Sequence, residues 1–185
     1  MRALAILSVV WASAVVWGFA WFAGYTHRAG ASGNPKETVI SRRWELVLAV
    51  HPKCPCTRSS LRLLAGLQKQ YGSHLSTTIL VRQVEGARWT IPEAVPGARI
   101  VPDSGGFRAR ELGLETSGHA VLYRPGGRLA FSGGLTRNRG SEVAGEGPSA
   151  IVALLEGGGS PLIRKPIFGC ALFAASERVP GERVQ

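Results

Sequence analysis

The sequence predicts an α/β sandwich with a mixed central sheet, preceded by an N-terminal apolar helix. Short runs of β-forming residues alternate with a segment of helical periodicity, and a glycine-containing turn joins two further strand-like runs. An uncharged stretch of 21 residues precedes all of these elements. At 185 residues, the chain has room for one ordinary domain with extensions.

The uncharged stretch, Ala3–Ala23, is long enough to cross a bilayer as a helix. Its tryptophans include candidates for interfacial anchors: Trp11, Trp17 and Trp21. We predict that residues 1–24 form a transmembrane anchor, with a cleaved signal sequence as the second interpretation. Residues 25–43 are polar and are predicted to form a linker. Their positive charges favour a cytoplasmic domain, but a short anchor before one soluble domain is typical of export. We therefore predict a domain outside the cytoplasm.

Residues 44–157 are predicted to form the folded domain. Strands are expected at WELVLAV (44–50), STTILVR (76–82) and RIVPD (99–103). The segment TRSSLRLLAGLQKQYG predicts a helix after the first strand, because its leucines and tyrosine share one helical face: Leu61, Leu64, Leu67 and Tyr71. EGARWTIPEAVPGA predicts a loop or a broken helix, and GFRARELGL predicts a short helix.

The end of the domain is predicted to be a hairpin followed by a helix. GHAVLY and RLAFSGG are the two strands, RPGG is the turn, and PSAIVALLEGG predicts a helix from about Pro148. Residues 158–185 are predicted to be an irregular tail that carries Cys170. The tail includes PIFGCALF, whose apolar side chains surround the thiol, so we expect this segment to dock on the domain.

The segment HPKCPCTR places Cys54 and Cys56 between a predicted strand and a predicted helix. The partial positive charge of a helix N-terminus stabilises a thiolate, and Lys53 and Arg58 add cations on both flanks. Thiolates are the nucleophiles of disulfide exchange. The pattern therefore predicts a thiol–disulfide oxidoreductase, and two small buried cysteines without reactivity are the alternative interpretation.

The pairing of the three cysteines stays open at the sequence level. A disulfide between Cys54 and Cys56 closes a tight ring across Pro55, and such a ring is strained and easily reduced. The distant Cys170 is the alternative partner, and we expect that it could act as a second resolving thiol.

Two histidines suggest a different function for the same cysteines. Thiolates from Cys54 and Cys56, together with His51 or His119, suit copper(I) or zinc by ligand softness. We keep a metal-binding module as the alternative function, but a stable zinc site requires three or four ligands. Our main expectation is a redox-active disulfide without a further cofactor.

The net charge of +10 raises the question of nucleic-acid binding. The cations are scattered singly or in pairs, and no basic run alternates with aromatic residues. We therefore expect no nucleic-acid partner, and an arginine-rich surface that suits anionic lipid. The expected partners are the membrane and a thiol or disulfide protein.

The segments HPKCPCTRSSL, VPDSGGFRARELGLETSGHAVLYRPGGRLAFSGGLTRNRG and the later FGC together resemble RedB-type proteins. These are membrane-anchored bacterial members of the thioredoxin-like superfamily. The resemblance implies a thioredoxin-like α/β/α sandwich with Cys54 and Cys56 at the active-site position and His119 nearby. It also implies a single-pass protein of the bacterial inner membrane with a periplasmic domain.

Two features of this chain differ from those of thioredoxins. The active-site motif is CxC instead of CxxC, and TSGHA has no proline before the hairpin. A thiol peroxidase-like activity, with Cys170 resolving, is the third functional expectation drawn from the superfamily.

Overall fold

The structure, a computed structural model, describes residues 2–37, 41–83, 95–157 and 161–174. Most of the predicted loop or broken helix EGARWTIPEAVPGA lies outside these residues. The elements in chain order are α1 (Arg2–Thr26), β1 (Trp44–Val50), α2 (Cys56–Tyr71), β2 (Leu75–Gln83), β3 (Arg99–Ser104), α3 (Phe107–Glu111), β4 (His119–Tyr123), β5 (Leu129–Gly134), α4 (Glu146–Gly157) and β6 (Ile163–Arg164).

The six strands form one mixed sheet in the order β3-β2-β1-β4-β5-β6. Strands β1, β2 and β3 are parallel, and β4 runs antiparallel to both β1 and β5. Because β1 lies between β2 and β4, the chain that leaves it after Val50 emerges near the middle of one end of the sheet. Ala49 in β1 pairs with His119 at the start of β4, so the segment before the hairpin reaches the same end of the sheet.

Apolar residues cover both faces of the sheet. On one face, α2 buries the predicted stripe completely or nearly so: Leu61, Leu64, Leu67 and Tyr71. Helix α4 adds Ile151 and Leu154 to the same cluster. On the other face, Ala109 of α3 packs with Leu172 and Phe173, which follow β6 in the chain. The α/β class and the mixed sheet are therefore confirmed.

The structure corrects two details of the sequence prediction. The segment after residue 157 is not wholly irregular, because Ile163 and Arg164 form β6 and pair in parallel with Phe131 and Ser132 of β5. Two residues are too few to leave a periodic signal in a sequence. Helix α2 begins at Cys56, one residue before the predicted segment, and Pro55 at its N-cap makes no side-chain cap hydrogen bond.

Helix α1 is long and apolar enough to cross a membrane. The span from Ala3 to Thr26 has a mean hydropathy of 2.0, and none of it is buried inside the protein. A signal sequence near the N-terminus has the same properties. The helix ends close to the domain, because the carbonyl of Thr26 accepts a hydrogen bond from the Arg139 amide at 3.0 Å.

Candidate functional site

The site begins in the turn between β1 and α2. The Cys54 amide donates to the His51 carbonyl at 3.0 Å, and the Thr57 amide donates to the Cys54 carbonyl at 3.1 Å. These two bonds fold the chain back on itself before α2 starts at Cys56. Cys54 and Cys56 are 4% and 2% exposed, so neither sulfur is freely solvated.

All three cysteines of the chain are free thiols and meet at this turn. The backbone amide of Cys170 donates to the Cys54 sulfur at 3.4 Å. The side chains of Cys56 and Cys170 also form hydrogen bonds with that sulfur. The expectation that the PIFGCALF segment docks on the domain is therefore confirmed, and the docked segment brings Cys170 to Cys54.

The three thiols differ in acidity because of these contacts. Hydrogen bonds lower the pKa of Cys54 to about 4, and the largest contribution is the bond from the Cys56 thiol; burial opposes the shift. The same bond raises the pKa of Cys56, which keeps its proton. Burial, followed by the contact with Cys54, raises the pKa of Cys170 to about 11. Cys54 is therefore the thiolate of the cluster, and the other two are its donors.

Hydrogen bonds to the Cys54 sulfur are the leading causes of its low pKa, ahead of the flanking charges of Lys53 and Arg58. The start of α2 contributes through the backbone amide of Cys56. The expected polarity of the helix N-terminus thus acts through one specific N–H group.

A polar network holds the turn against the start of the hairpin. The Ser117 hydroxyl accepts a hydrogen bond from the His51 amide at 2.9 Å and lies 3.3 Å from the Thr57 hydroxyl. The Thr57 hydroxyl donates to the His51 carbonyl at 2.9 Å. Ser117 therefore holds the turn in place. Its TSGHA segment has no proline, and the described residues contain no cis peptide bond.

His51 lies at the edge of the site. Its Nδ1 accepts a hydrogen bond from the Lys53 amide at 3.1 Å, which orients the ring. Burial lowers the pKa of His51, and the Cys54 charge partly counteracts this effect. His51 is thus close enough to Cys54 for the two charges to interact.

His119 lies at the start of β4, and its ring contacts the neighbouring strand β5. Its ring is fully buried, and Nε2 lies 2.9 Å from the Ser132 hydroxyl on the neighbouring strand. Burial lowers the pKa of His119 to about 3, with a smaller effect from Arg164. The register of β4 explains this placement, because His119 shares a sheet face with Val121, whose β5 partner is Ser132.

Arg139 is a further residue of the site and was not among the candidates predicted from the sequence. Its backbone amide contacts Thr26 and its guanidinium donates to the carbonyls of Arg28 and Gly169. The next residue, Gly140, donates its amide to the Cys56 sulfur at 3.3 Å. The loop after β5 thus contacts the end of α1, the C-terminal segment and the thiol cluster. Only its presence in the LTRNRG motif marked it in the sequence.

A C-terminal segment, residues 166–172, is fixed along its length by backbone hydrogen bonds. The Gly30 amide donates to Ile167, the Ser117 amide donates to Cys170 at 2.8 Å, and the Leu172 amide donates to Glu115. The position of Cys170 therefore depends on contacts with the linker and with the segment before the hairpin.

We expect Gly169→Ala to displace this segment. A Cβ atom at Gly169 would lie 1.8 Å from the Ser117 carbonyl oxygen, so the backbone must move. The expected loss is about 1 to 3 kcal/mol in the free energy of unfolding of the reduced protein, measured by denaturant titration. Gly66→Ala is the matched control, because nothing lies within 4 Å and the position is inside α2. Equal stability of the two variants would contradict the prediction.

A cavity of about 410 Å³ opens beside the cluster and gives access to Cys54. Its lining includes Pro52, Pro55, Arg58 and Glu142. Lys53, although its backbone orients His51, is not part of that lining. No group of three or more histidine, cysteine or acidic side chains in the described ranges has the arrangement of a metal site.

The comparisons with known proteins show the fold alone. No family model and no curated protein matches the chain. A hypothetical protein from Sinorhizobium meliloti 1021 aligns with a TM-score of 0.60 and 19% identity, over 82% of this chain and 99% of that one. An uncharacterized conserved protein from Geobacillus kaustophilus aligns with a TM-score of 0.57 and 16% identity, over 79% of this chain and 92% of that one. The chain is similar in architecture to these two proteins.

Proposed function

We propose that the protein is a membrane-tethered thiol–disulfide oxidoreductase or redox relay in which Cys54 is the attacking thiolate. One observation carries the proposal: the Cys54 sulfur accepts the Cys170 amide hydrogen bond and lies against two further thiols at the start of α2. Bonds of this kind stabilise the anion, and the anion is the reactive form in disulfide exchange.

The arrangement of the strands supports a thioredoxin-like fold. In that superfamily, a parallel strand pair joined by a helix lies beside an antiparallel hairpin, and the reactive cysteines precede the first helix. Here β1, α2 and β2 form the parallel unit, β4 and β5 form the hairpin, and Cys54 precedes α2. The resemblance to RedB-type proteins leads to the same proposal from the sequence.

The chemistry requires a disulfide substrate and two protein thiols. The Cys54 thiolate attacks one sulfur of the substrate disulfide, forms a mixed disulfide and releases the other sulfur as a thiolate. A second protein thiol then attacks Cys54 and releases the remaining part of the substrate. Two electrons pass from the protein to the substrate, and a dithiol donor restores the reduced protein.

The location of the reaction is proposed to be the periplasmic face of the bacterial inner membrane. Helix α1 has the length and hydropathy of an anchor, and a linker leads from it to the domain. Disulfides persist in the periplasm and are uncommon in the cytoplasm. A phosphatase fused to the C-terminus should be active in cells, and an active cytoplasmic fluorescent fusion with an inactive phosphatase would reverse this topology.

Alkylation as a function of pH tests the proposed nucleophile. Iodoacetamide should modify Cys54 of the reduced full-length protein at a rate that is almost constant from pH 8 down to pH 6, because hydrogen bonds hold the pKa of Cys54 at about 4. Peptide mass spectrometry identifies the modified residue. A midpoint near the ordinary cysteine value of about 8.5 would refute the proposal.

Two variants of Cys56 sharpen this experiment. Cys56→Ser keeps a hydroxyl donor for Cys54, whereas Cys56→Ala removes the donor that contributes most to the shift. We expect the alanine variant to raise the alkylation midpoint of Cys54 above that of the serine variant.

Titration of the same proteins with copper(I) under anaerobic conditions tests the metal-binding alternative. Stoichiometric binding that Cys54→Ser abolishes, in a protein that does not reduce disulfides, would favour it.

A further inference from the structure

We infer that Cys170, and not Cys56, is the resolving cysteine, so that turnover ends in a disulfide between Cys54 and Cys170. This inference rests on the proposed disulfide exchange at Cys54. It assigns different roles to the two remaining thiols: Cys170 forms the covalent bond, and Cys56 is a positioning residue that donates a hydrogen bond to the nucleophile.

Contact geometry is the first step of the argument. Cys170 approaches Cys54 through both its backbone and its side chain: its amide donates to the Cys54 sulfur at 3.4 Å, and its thiol also bonds to that sulfur. The Cys170 sulfur can therefore reach Cys54 in the resolving step without a rearrangement of the fold. Backbone hydrogen bonds from Gly30 and Ser117 to the C-terminal segment keep it there.

The chain between Cys54 and Cys56 opposes the other pairing. Pro55 lies between them with a helical backbone, φ −62° and ψ −26°, and its ring restricts φ to that region. A disulfide between residues separated by one position closes a small ring, and disulfide geometry tolerates little distortion. A pair that is 116 positions apart closes without such a local constraint.

Cys56 and Cys170 also differ in their surroundings. Cys56 is 2% exposed, and its sulfur accepts the Gly140 amide at 3.3 Å, so the loop after β5 helps to enclose it. Cys170 is only partly buried, and the positive charge of Arg139 favours its thiolate. Arg139 also bonds to the carbonyl of Gly169 and so holds the residue next to the attacking thiol.

The balanced step begins from the mixed disulfide between Cys54 and one half of the substrate. The Cys170 thiol loses its proton to solvent, and its sulfur attacks the Cys54 sulfur. The bond between Cys54 and the substrate breaks, and the substrate leaves as a thiolate. The new disulfide stores the two oxidising equivalents until a protein dithiol reduces it.

The test uses reduced full-length protein in detergent and one equivalent of 5,5′-dithiobis(2-nitrobenzoate), whose two halves absorb light when released. The first attack releases one thionitrobenzoate, and resolution releases the second. We expect two equivalents from the wild type and from Cys56→Ser, but one rapid equivalent from Cys170→Ser. A second equivalent from Cys170→Ser should be at least about tenfold slower, since Cys56 can attack Cys54 only by closing the small ring across Pro55.

The outcomes separate the two proposals. Two rapid equivalents from Cys170→Ser with one from Cys56→Ser would overturn the inference and make Cys56 the resolving thiol. A first equivalent that is unchanged in Cys54→Ser would instead refute the proposed nucleophile. Mass spectrometry of the products should show a peptide that joins Cys54 to Cys170, and circular dichroism confirms that each variant is folded. Cys170→Ala repeats the measurement without a hydroxyl at this position.

Discussion

Oxidation of the full-length protein should raise its free energy of unfolding by about 4 to 5 kcal/mol. The expected disulfide joins Cys54 to Cys170, which are 116 positions apart, and a cross-link of this span removes much of the conformational freedom of the unfolded chain. The corresponding rise in the unfolding temperature of the domain is roughly 10 to 15 °C. Thermal unfolding of the oxidised and reduced forms, followed by near-ultraviolet circular dichroism, measures it.

Single variants show which pair produces the stabilisation. Cys56→Ser should keep the whole difference between the oxidised and reduced forms, and Cys170→Ser should abolish it. A cross-link between Cys54 and Cys56 encloses only Pro55, so it restricts the unfolded chain little. A difference that survives in Cys170→Ser and disappears in Cys56→Ser would therefore contradict the proposed pairing.

The fold was largely predictable because its elements have strong local signals. WELVLAV forms β1 over the predicted residues, and the leucine stripe of α2 is buried as expected. The RPGG turn joins β4 to β5, and α4 begins two residues before the predicted Pro148. Each of these segments carries its own periodicity or turn chemistry, so the sequence alone indicates its structure.

The site was predictable only in part, because its arrangement depends on contacts between distant segments. The motif identified Cys54 and Cys56, but the proton distribution between them depends on the amides of Cys170 and Gly140. Arg139 carries no local signal, since its role comes from three carbonyls elsewhere in the chain. The contact of the His119 ring with Ser132 was likewise not predictable, because the sequence does not specify which residue of a neighbouring strand the ring will meet.

The contacts of Arg139 link the thiol cluster to the end of α1. Thr26, the last residue of that helix, accepts the Arg139 amide, and Gly140 contacts Cys56 directly. The guanidinium of Arg139 lies 5.4 Å from the ring centre of Tyr25, which is also in α1. One loop therefore connects the N-terminal helix and the cysteines through adjacent residues, so the helix ends beside the site.

Lowering the pH should destabilise the reduced protein through Cys54. Its pKa is about 4 in the folded protein and about 8.5 in an unfolded chain, so between these values the unfolded state binds the extra proton. The free energy of unfolding then falls as the pH falls, by up to about 1.4 kcal/mol per pH unit. From pH 8 to pH 6.5 we expect a loss of roughly 1 to 2 kcal/mol. Above pH 8.5 the raised pKa values of Cys56 and Cys170 act with the opposite sign.

Denaturant titrations of the reduced protein at several pH values between 6.5 and 8 measure this slope. Burial also lowers the pKa values of His51 and His119 in the folded state, so both histidines add a slope of the same sign that grows toward pH 6.5. The slope due to Cys54 is therefore the difference between the wild type and Cys54→Ser. Cys56→Ser retains a donor to Cys54 and should keep the slope, whereas Cys54→Ser and the oxidised wild type should lose it. A slope that persists unchanged in Cys54→Ser would show that the folded protein does not hold Cys54 as a thiolate.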